Sequence, residues 1–159
     1  MNSSSPANDF PDPAKLDLDN ACLPEPGILA GGCPSDRDLA RLKQAGVNTV
    51  LDLRETREWN GDDFAGRVKQ AGLRFLQLPV SGLETVDEGK TRQFWTYWND
   101  AQLKPMLVHC ASGNRVGAML ALAAYRHGKV NARDALKRGL AAGLKAAEPT
   151  IRKAVGLST

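Results

Sequence analysis

From Gly27 onward the chain alternates short strand-like runs with helical ones, and this alternation limits the fold more than any other feature of the sequence. Ile28 to Ala30 reads as a short edge strand followed by Gly31-Gly32. Ser35 and Asp38 form a capping box that opens a helix with Leu39 and Leu42 on its apolar face, and Gly46 ends it at the C′ position. Val47 to Leu53 is a strand rich in β-branched residues. Phe64 to Ala71 reads as a helix closed by Gly72, and Leu73 to Pro79 as the next strand. Thr85 and Glu88 form a second capping box, opening a helix through Asp100 whose Phe94, Trp95, Tyr97 and Trp98 read as core. Pro105 to His109 is a short apolar strand, and Asn114 to His127 an amphipathic helix. Two further helices are expected over about 131–142 and 147–155. Such alternation predicts an α/β fold with a central, mostly parallel sheet of four to five strands flanked by helices. Ligands of such sheets bind at the carboxyl ends of the strands, here after Leu53, Pro79 and His109.

The 159 residues suit one domain. Residues 1–26 hold five of the nine prolines and read as an extended acidic arm, disordered or laid along the body, with the domain proper over 27–159. The longest nearly apolar run, Val116 to Tyr125, is 10 residues, against the roughly 20 of a membrane span, so no membrane contact is expected. The N-terminus lacks the cationic start and apolar stretch of a signal peptide. The expected location is cytoplasmic, with a periplasmic one the alternative if an upstream leader has been removed. The net charge of +3 is lopsided: −4 over residues 1–25 and +6 over 126–159. A basic C-terminal region attracts anions. No Lys/Arg run exceeds two residues, and no zinc-finger or aromatic RNA-binding pattern occurs, so nucleic acid is not an expected partner. Cys22, Cys33 and Cys110 are too few, and odd in number, for a disulfide scaffold; without Cys-x-x-Cys and with two histidines, no metal or other cofactor is expected.

The chemistry concentrates where the strand ending in His109 turns into the next helix, over Cys110-Ala111-Ser112-Gly113-Asn114-Arg115. A short loop entering a helix turns several backbone N–H groups toward one point, and the helix N-terminus adds about half a positive charge. That field binds an anion and favours a thiolate, lowering a cysteine pKa from about 8.5 toward 4–7. Gly113 permits positive φ, Arg115 offers a planar fork for two oxygens of a tetrahedral oxyanion, and Ser112 can donate to thiolate or substrate. His109 precedes the turn and is expected to orient the loop rather than act as a base.

The run HCASGNR resembles the signature of cysteine-based protein tyrosine and dual-specificity phosphatases. The upstream stretch GILAGGCPSDRDLARLKQAGVNTVLDLRE is similar to a bacterial branch that includes the phosphatase-like domain of beta-lactamase hydrolase-like proteins. The resemblance covers about residues 27–127 and implies a protein tyrosine phosphatase-like fold. It implies Cys110 as nucleophile, Arg115 as the grip on two phosphate oxygens, and the backbone of Ala111, Ser112, Gly113 and Asn114 as the remaining donors. It also implies a cysteinyl-phosphate intermediate that water hydrolyses, on a phosphorylated protein or a small phosphomonoester, without a metal. The general acid is expected after the strand LQLPV, where Glu84 is favoured and Asp87 is the alternative.

The chain departs from the phosphatase pattern in three ways. Four residues rather than five separate Cys110 from Arg115, Val116 stands where a Ser or Thr assists thiolate departure, and no acid is obvious. The short interval equally suits a rhodanese-like sulfurtransferase carrying a persulfide on Cys110, and the missing acid suits a catalytically impaired phospho-binding module. Arg54, Glu55, Arg57 and Glu58 either rim the pocket or pair at the surface, Trp59 reads as packing, and Cys33 reads as a free buried thiol or as an oxidative partner of Cys110 or Cys22. Neither the physiological substrate nor the oligomeric state follows from these residues.

Overall fold

The computed structural model describes residues 10–84 and 86–158. Strands β1 (Cys22–Glu25), β2 (Ile28–Gly31), β3 (Thr49–Asp52), β4 (Arg74–Gln77) and β5 (Met106–His109) form one sheet in the order β1-β2-β5-β3-β4. Only the β1–β2 pair is antiparallel; the other three pairs are parallel. The helices are α1 (Asp36–Gln44), α2 (Phe64–Gln70), α3 (Glu88–Trp98), α4 (Asn114–His127), α5 (Ala132–Ala141) and α6 (Glu148–Ala154). The α/β class and mostly parallel sheet follow the expectation, with five strands.

Side chains of the central strands alternate between two cores, as the pleat requires. Leu29, Val50 and Leu107 face α1 and α2, where Leu39, Leu42, Phe64 and Val68 close the layer. Ile28, Ala30, Leu51, Met106 and Val108 face α3 and α4, against Phe94, Trp98, Val116, Met119 and Leu120. Helices α5 and α6 pack behind α4 through Leu136, Leu144, Ile151 and Val155. Helix α4 is thus covered on nearly every side, and so Val116 to Ala124 is almost uniformly small or apolar. The α4–α5 crossing is closest at two glycines: a Cβ on Gly117 would lie 2.3 Å from the Leu144 nitrogen and 2.4 Å from the Gly139 carbonyl oxygen.

Two expectations change in detail, and the arm takes one of its two expected placements. Residues 1–9 of the expected arm lie outside the described residues, but residues 10–26 are laid on the body. Leu16 and Leu18 are buried, and Cys22–Glu25 supplies the sheet's edge strand. Ile28–Gly31 is consequently an inner strand rather than an edge, because the turn at Pro26-Gly27 (Gly27 φ +81°) folds β1 back onto it. Helix α3 is capped by Asp87, whose carboxylate accepts from the Lys90 nitrogen at 2.8 Å; Thr85, the expected cap, lies outside the described residues. The Ser35–Asp38 box forms as expected, and buried Asp38 also accepts from the Asp17 nitrogen at 2.8 Å, tying the N-terminal segment to α1.

Candidate active site

The carboxyl ends of β2, β5 and β3 meet at one rim. Cys110 leaves β5 there, and its nitrogen donates to the Gly31 carbonyl at 3.2 Å. Gly113 takes φ +90°, the backbone value that only glycine adopts without strain, and it caps α4. In that conformation its N–H points back at the Cys110 sulfur, 3.1 Å away. The cysteine is 1% exposed, whereas Ala111 and Ser112 above it are exposed. Ser112 is also tied to the neighbouring strand end by an isolated bridge to Gly32.

Arg115, on the first turn of α4, reaches across the sheet edge to Glu58. Its Nη1 donates to Glu58 Oε2 at 2.9 Å and its Nη2 to Glu58 Oε1 at 2.7 Å, a bidentate pair. Nη1 also donates to the Val80 carbonyl at 2.9 Å. These bonds occupy the Nη1/Nη2 edge of the guanidinium. Among the described residues nothing accepts from Nε, so the Nε/Nη2 edge stays available for two oxygens of an anion. The hydrogen bonds from Arg115 hold the Glu58 carboxyl down at about 2, and the same pairing raises Arg115 above its usual value. Glu58 is therefore an anion at neutral pH and has no proton to give.

Glu58 is itself placed by a buried network on the other face of the sheet. Asp52, at the end of β3 and fully buried, accepts from Arg54 N at 2.8 Å, Arg54 Nη2 at 3.0 Å and Trp59 Nε1 at 3.0 Å. The Arg54 guanidinium lies 4.7 Å above the Phe64 ring. These contacts curl residues 52–59 into a strap, closed by the Glu55 nitrogen donating to Glu58 Oε2 at 2.8 Å. Of the four charged residues expected either to rim the pocket or to pair at the surface, Glu58 pairs with Arg115 and Arg54 is buried. Arg57 and Glu55 form an exposed pair. Sequence reasoning had no means to rank Glu58 above its neighbours, because its partner lies 57 positions away. Trp59 packs against Phe64 and Phe75, as expected.

His109 lies fully buried below the loop. Its Nδ1 is 3.3 Å from the Cys110 carbonyl oxygen, and its Nε2 has no hydrogen-bond partner among the described residues. Burial pushes its pKa down to about 4, overcoming the attraction of Asp52, whose Oδ1 is 3.8 Å away. The ring is thus neutral, and the contact with Asp52 is no ion pair at neutral pH. The side chain of Asn114 turns away from the loop opening, its Oδ1 accepting from Lys145 N at 2.8 Å and Ala147 N at 3.3 Å. Asp87 is engaged as the α3 cap. Glu84 is exposed and lines a groove with Pro149, Thr150 and Lys153 of α6. No hydrogen bond among the described residues joins Glu84 or Asp87 to Cys110 or Arg115.

All three cysteines are free. Cys22 stands opposite Ala30, two strands from β5, or about 10 Å at the usual strand spacing, against the ~7 Å limit between disulfide-linked Cα atoms. Cys33 packs with the α1/α2 core and Cys110 with the opposite one, and burial raises the Cys33 thiol. Cys22 is not placed to bridge to Cys110. Among the described residues no cluster of His, Cys, Asp and Glu could hold a metal ion, and no helix is long and apolar enough to cross a membrane.

Comparison with known proteins places this arrangement. Residues 17–151 match the family model PTP-NADK, described as the DSP-PTPase phosphatase fused to NAD+ kinase. The chain belongs to this DSP-PTPase family. No curated protein matches the chain. Among solved structures, Pseudomonas aeruginosa TpbA in complex with phosphotyrosine is 22% identical with a TM-score of 0.56, covering 92% of this chain and 93% of its own. Tk-PTP in its active form is 17% identical with a TM-score of 0.63, covering 86% of this chain and 95% of its own. Kinase associated phosphatase, with a serine substituted for its catalytic-site cysteine, is 14% identical with a TM-score of 0.63, covering 83% and 89%. At these identities the structures establish the phosphatase-like fold, and the family match establishes membership of the DSP-PTPases.

Proposed function

We propose that this DSP-PTPase hydrolyses phosphate monoesters by covalent catalysis on Cys110. The observation that carries the reading is the division of Arg115. Glu58 and the Val80 carbonyl occupy one edge of the guanidinium, and the other edge stays available at the end of the same short loop that begins with a sulfur accepting the Gly113 N–H. The Cys110 sulfur attacks phosphorus and forms the S–P bond while the ester P–O bond breaks. Arg115 and the loop N–H groups other than that of Gly113 hold the equatorial oxygens in the transition state. Water then attacks the cysteinyl-phosphate, releasing phosphate and the thiolate. Val116 supplies no hydroxyl for that departure, so the Gly113 N–H takes the role of stabilising the sulfur as it leaves.

The leaving oxygen needs a proton, and Glu58 as a fixed anion does not supply it. Glu84 is the proposed donor and Asp87 the alternative, already engaged as a helix cap. A donor matters most for a poor leaving group. Glu84→Gln is therefore expected to slow phenyl phosphate turnover about 10²-fold while barely affecting p-nitrophenyl phosphate. Equal effects on both esters would remove Glu84 from the role.

The reading is tested by assaying the wild type, Cys110→Ser and Arg115→Ala on p-nitrophenyl phosphate and on thiosulfate with cyanide. Phosphate release abolished in both variants is the expected result. Thiocyanate formation without phosphate release would instead support a sulfurtransferase, for which the four-residue interval is suited. Phosphate binding with no turnover would make the protein a binding module.

A further inference from the structure

Asn20 holds a left-handed backbone, φ +56°, that few residues other than glycine, asparagine and aspartate accept. Its side-chain amide donates to the Gly143 carbonyl at 2.8 Å, across 123 positions of chain. The same side chain lies directly behind the Cys110–Arg115 loop: a Cβ on Gly113 would sit 3.0 Å from Asn20 Nδ2 and 3.2 Å from Asn20 Cβ. Gly143, with φ +102°, completes the contact, since a Cβ there would meet Asn20 Nδ2 at 2.8 Å and the Gly113 carbonyl oxygen at 3.1 Å. Two backbones therefore converge on one amide, and both lack a Cβ at the place where one would intrude.

Both neighbours of this contact are anchored independently. The loop after α5 is held at its far end, where Asn114 Oδ1 accepts from the Lys145 and Ala147 nitrogens. The segment carrying Asn20 is held by the Gly32 nitrogen donating to the Asp19 carbonyl at 2.8 Å, and Gly32 in turn bridges Ser112. Local strain at a non-glycine residue, maintained by long-range contacts beside a reactive loop, is the pattern of a group that positions others.

We propose that Asn20 is a positioning residue for the 110–115 loop. By clipping the Gly143 carbonyl it holds the post-α5 loop against Gly113. The Gly113 N–H thereby stays aimed at the Cys110 sulfur, and the loop N–H groups stay converged on one oxyanion. Asn20 touches no substrate and takes no part in bond making. The proposal rests on the phosphatase reading in that it assigns an oxyanion to the loop.

The test is protection of Cys110 from iodoacetamide by inorganic phosphate, with alkylation read at Cys110 by peptide mass spectrometry. Asn20→Gly keeps the left-handed backbone and removes the amide. Asn20→Asp keeps shape and backbone preference but replaces the donor with a carboxylate facing a carbonyl. Both are expected to raise the phosphate concentration for half-protection by about fivefold, and to lower kcat/KM on p-nitrophenyl phosphate by a similar factor. Leu16→Ala, which loosens the same segment without touching the loop, is the control and is expected to leave protection unchanged. Wild-type protection with unaltered protection in both Asn20 variants overturns the proposal alone, as does equal weakening in Leu16→Ala. Absence of any protection in the wild type overturns the proposal and the phosphatase reading together.

Discussion

On the proposed mechanism the Arg115 guanidinium must offer two donors on one edge in a fixed plane, and Glu58 supplies the plane by gripping the other edge. Glu58→Gln keeps the shape but loses the charge and one acceptor. Hydrogen bonds to charged groups contribute about 1.5–3 kcal/mol. The expected result is a 10- to 100-fold fall in kcat/KM on p-nitrophenyl phosphate, checked by steady-state kinetics. Glu58 was legible only as one of four charged residues after a strand, whereas Cys110 and Arg115 stood out because they share one loop. Residue chemistry is readable from sequence when the partners are local. Contacts spanning 57 or 123 positions, such as Glu58 with Arg115 and Asn20 with Gly143, require the fold.

At the level of elements, most strands and helices follow from periodicity and capping. The β-branched and apolar runs became β3 and β5, and the Ser35 box and the Asn114–His127 pattern became α1 and α4. Strand β1 did not, because Pro24 and Pro26 argue against a strand by composition; proline is tolerated on an edge, and β1 is one. The α4–α5 crossing was equally hidden, since a glycine inside a helix reads only as a local weakness. Its reason is the backbone contact at Gly117. Gly117→Ala would drive a methyl into the Leu144 nitrogen and the Gly139 carbonyl, neither of which is a flexible side-chain end. The expected outcome is a loss of at least about 3 kcal/mol, or insoluble protein, read by urea denaturation.

For the molecule as a whole, two titrations shape stability in acid, one at buried His109 and one at half-buried Glu58. His109 is held below its ordinary value, so the unfolded chain takes up a proton first as pH falls from about 6.5 toward 4. Its contribution is complete above that window and lost through it. Stability is expected to drop by on the order of 2 kcal/mol between pH 7.5 and 5, measured by urea denaturation, and His109→Gln is expected to flatten that limb. Glu58 acts lower: its depressed value means that its contribution is complete above about 4.5 and lost as pH approaches 2. The N-terminal segment also counts at this scale. Removing residues 1–21 would uncover the sites filled by Leu16 and Leu18, at about 1.5–3 kcal/mol for each leucine, and a lower urea midpoint is expected.

Glu25 closes β1 by accepting from Trp98 Nε1 on α3 at 2.9 Å and from Arg138 Nε on α5 at 2.9 Å. Trp98 is fully buried and stacked on Phe94 with ring centroids 5.4 Å apart. One indole therefore senses the hairpin, α3 and α5 at once, a built-in optical gauge. Water reaching the ring when the β1 hairpin lifts would shift its emission to the red, so with Trp59 and Trp95 replaced by phenylalanine, fluorescence can time the detachment of that edge separately from melting of the central sheet.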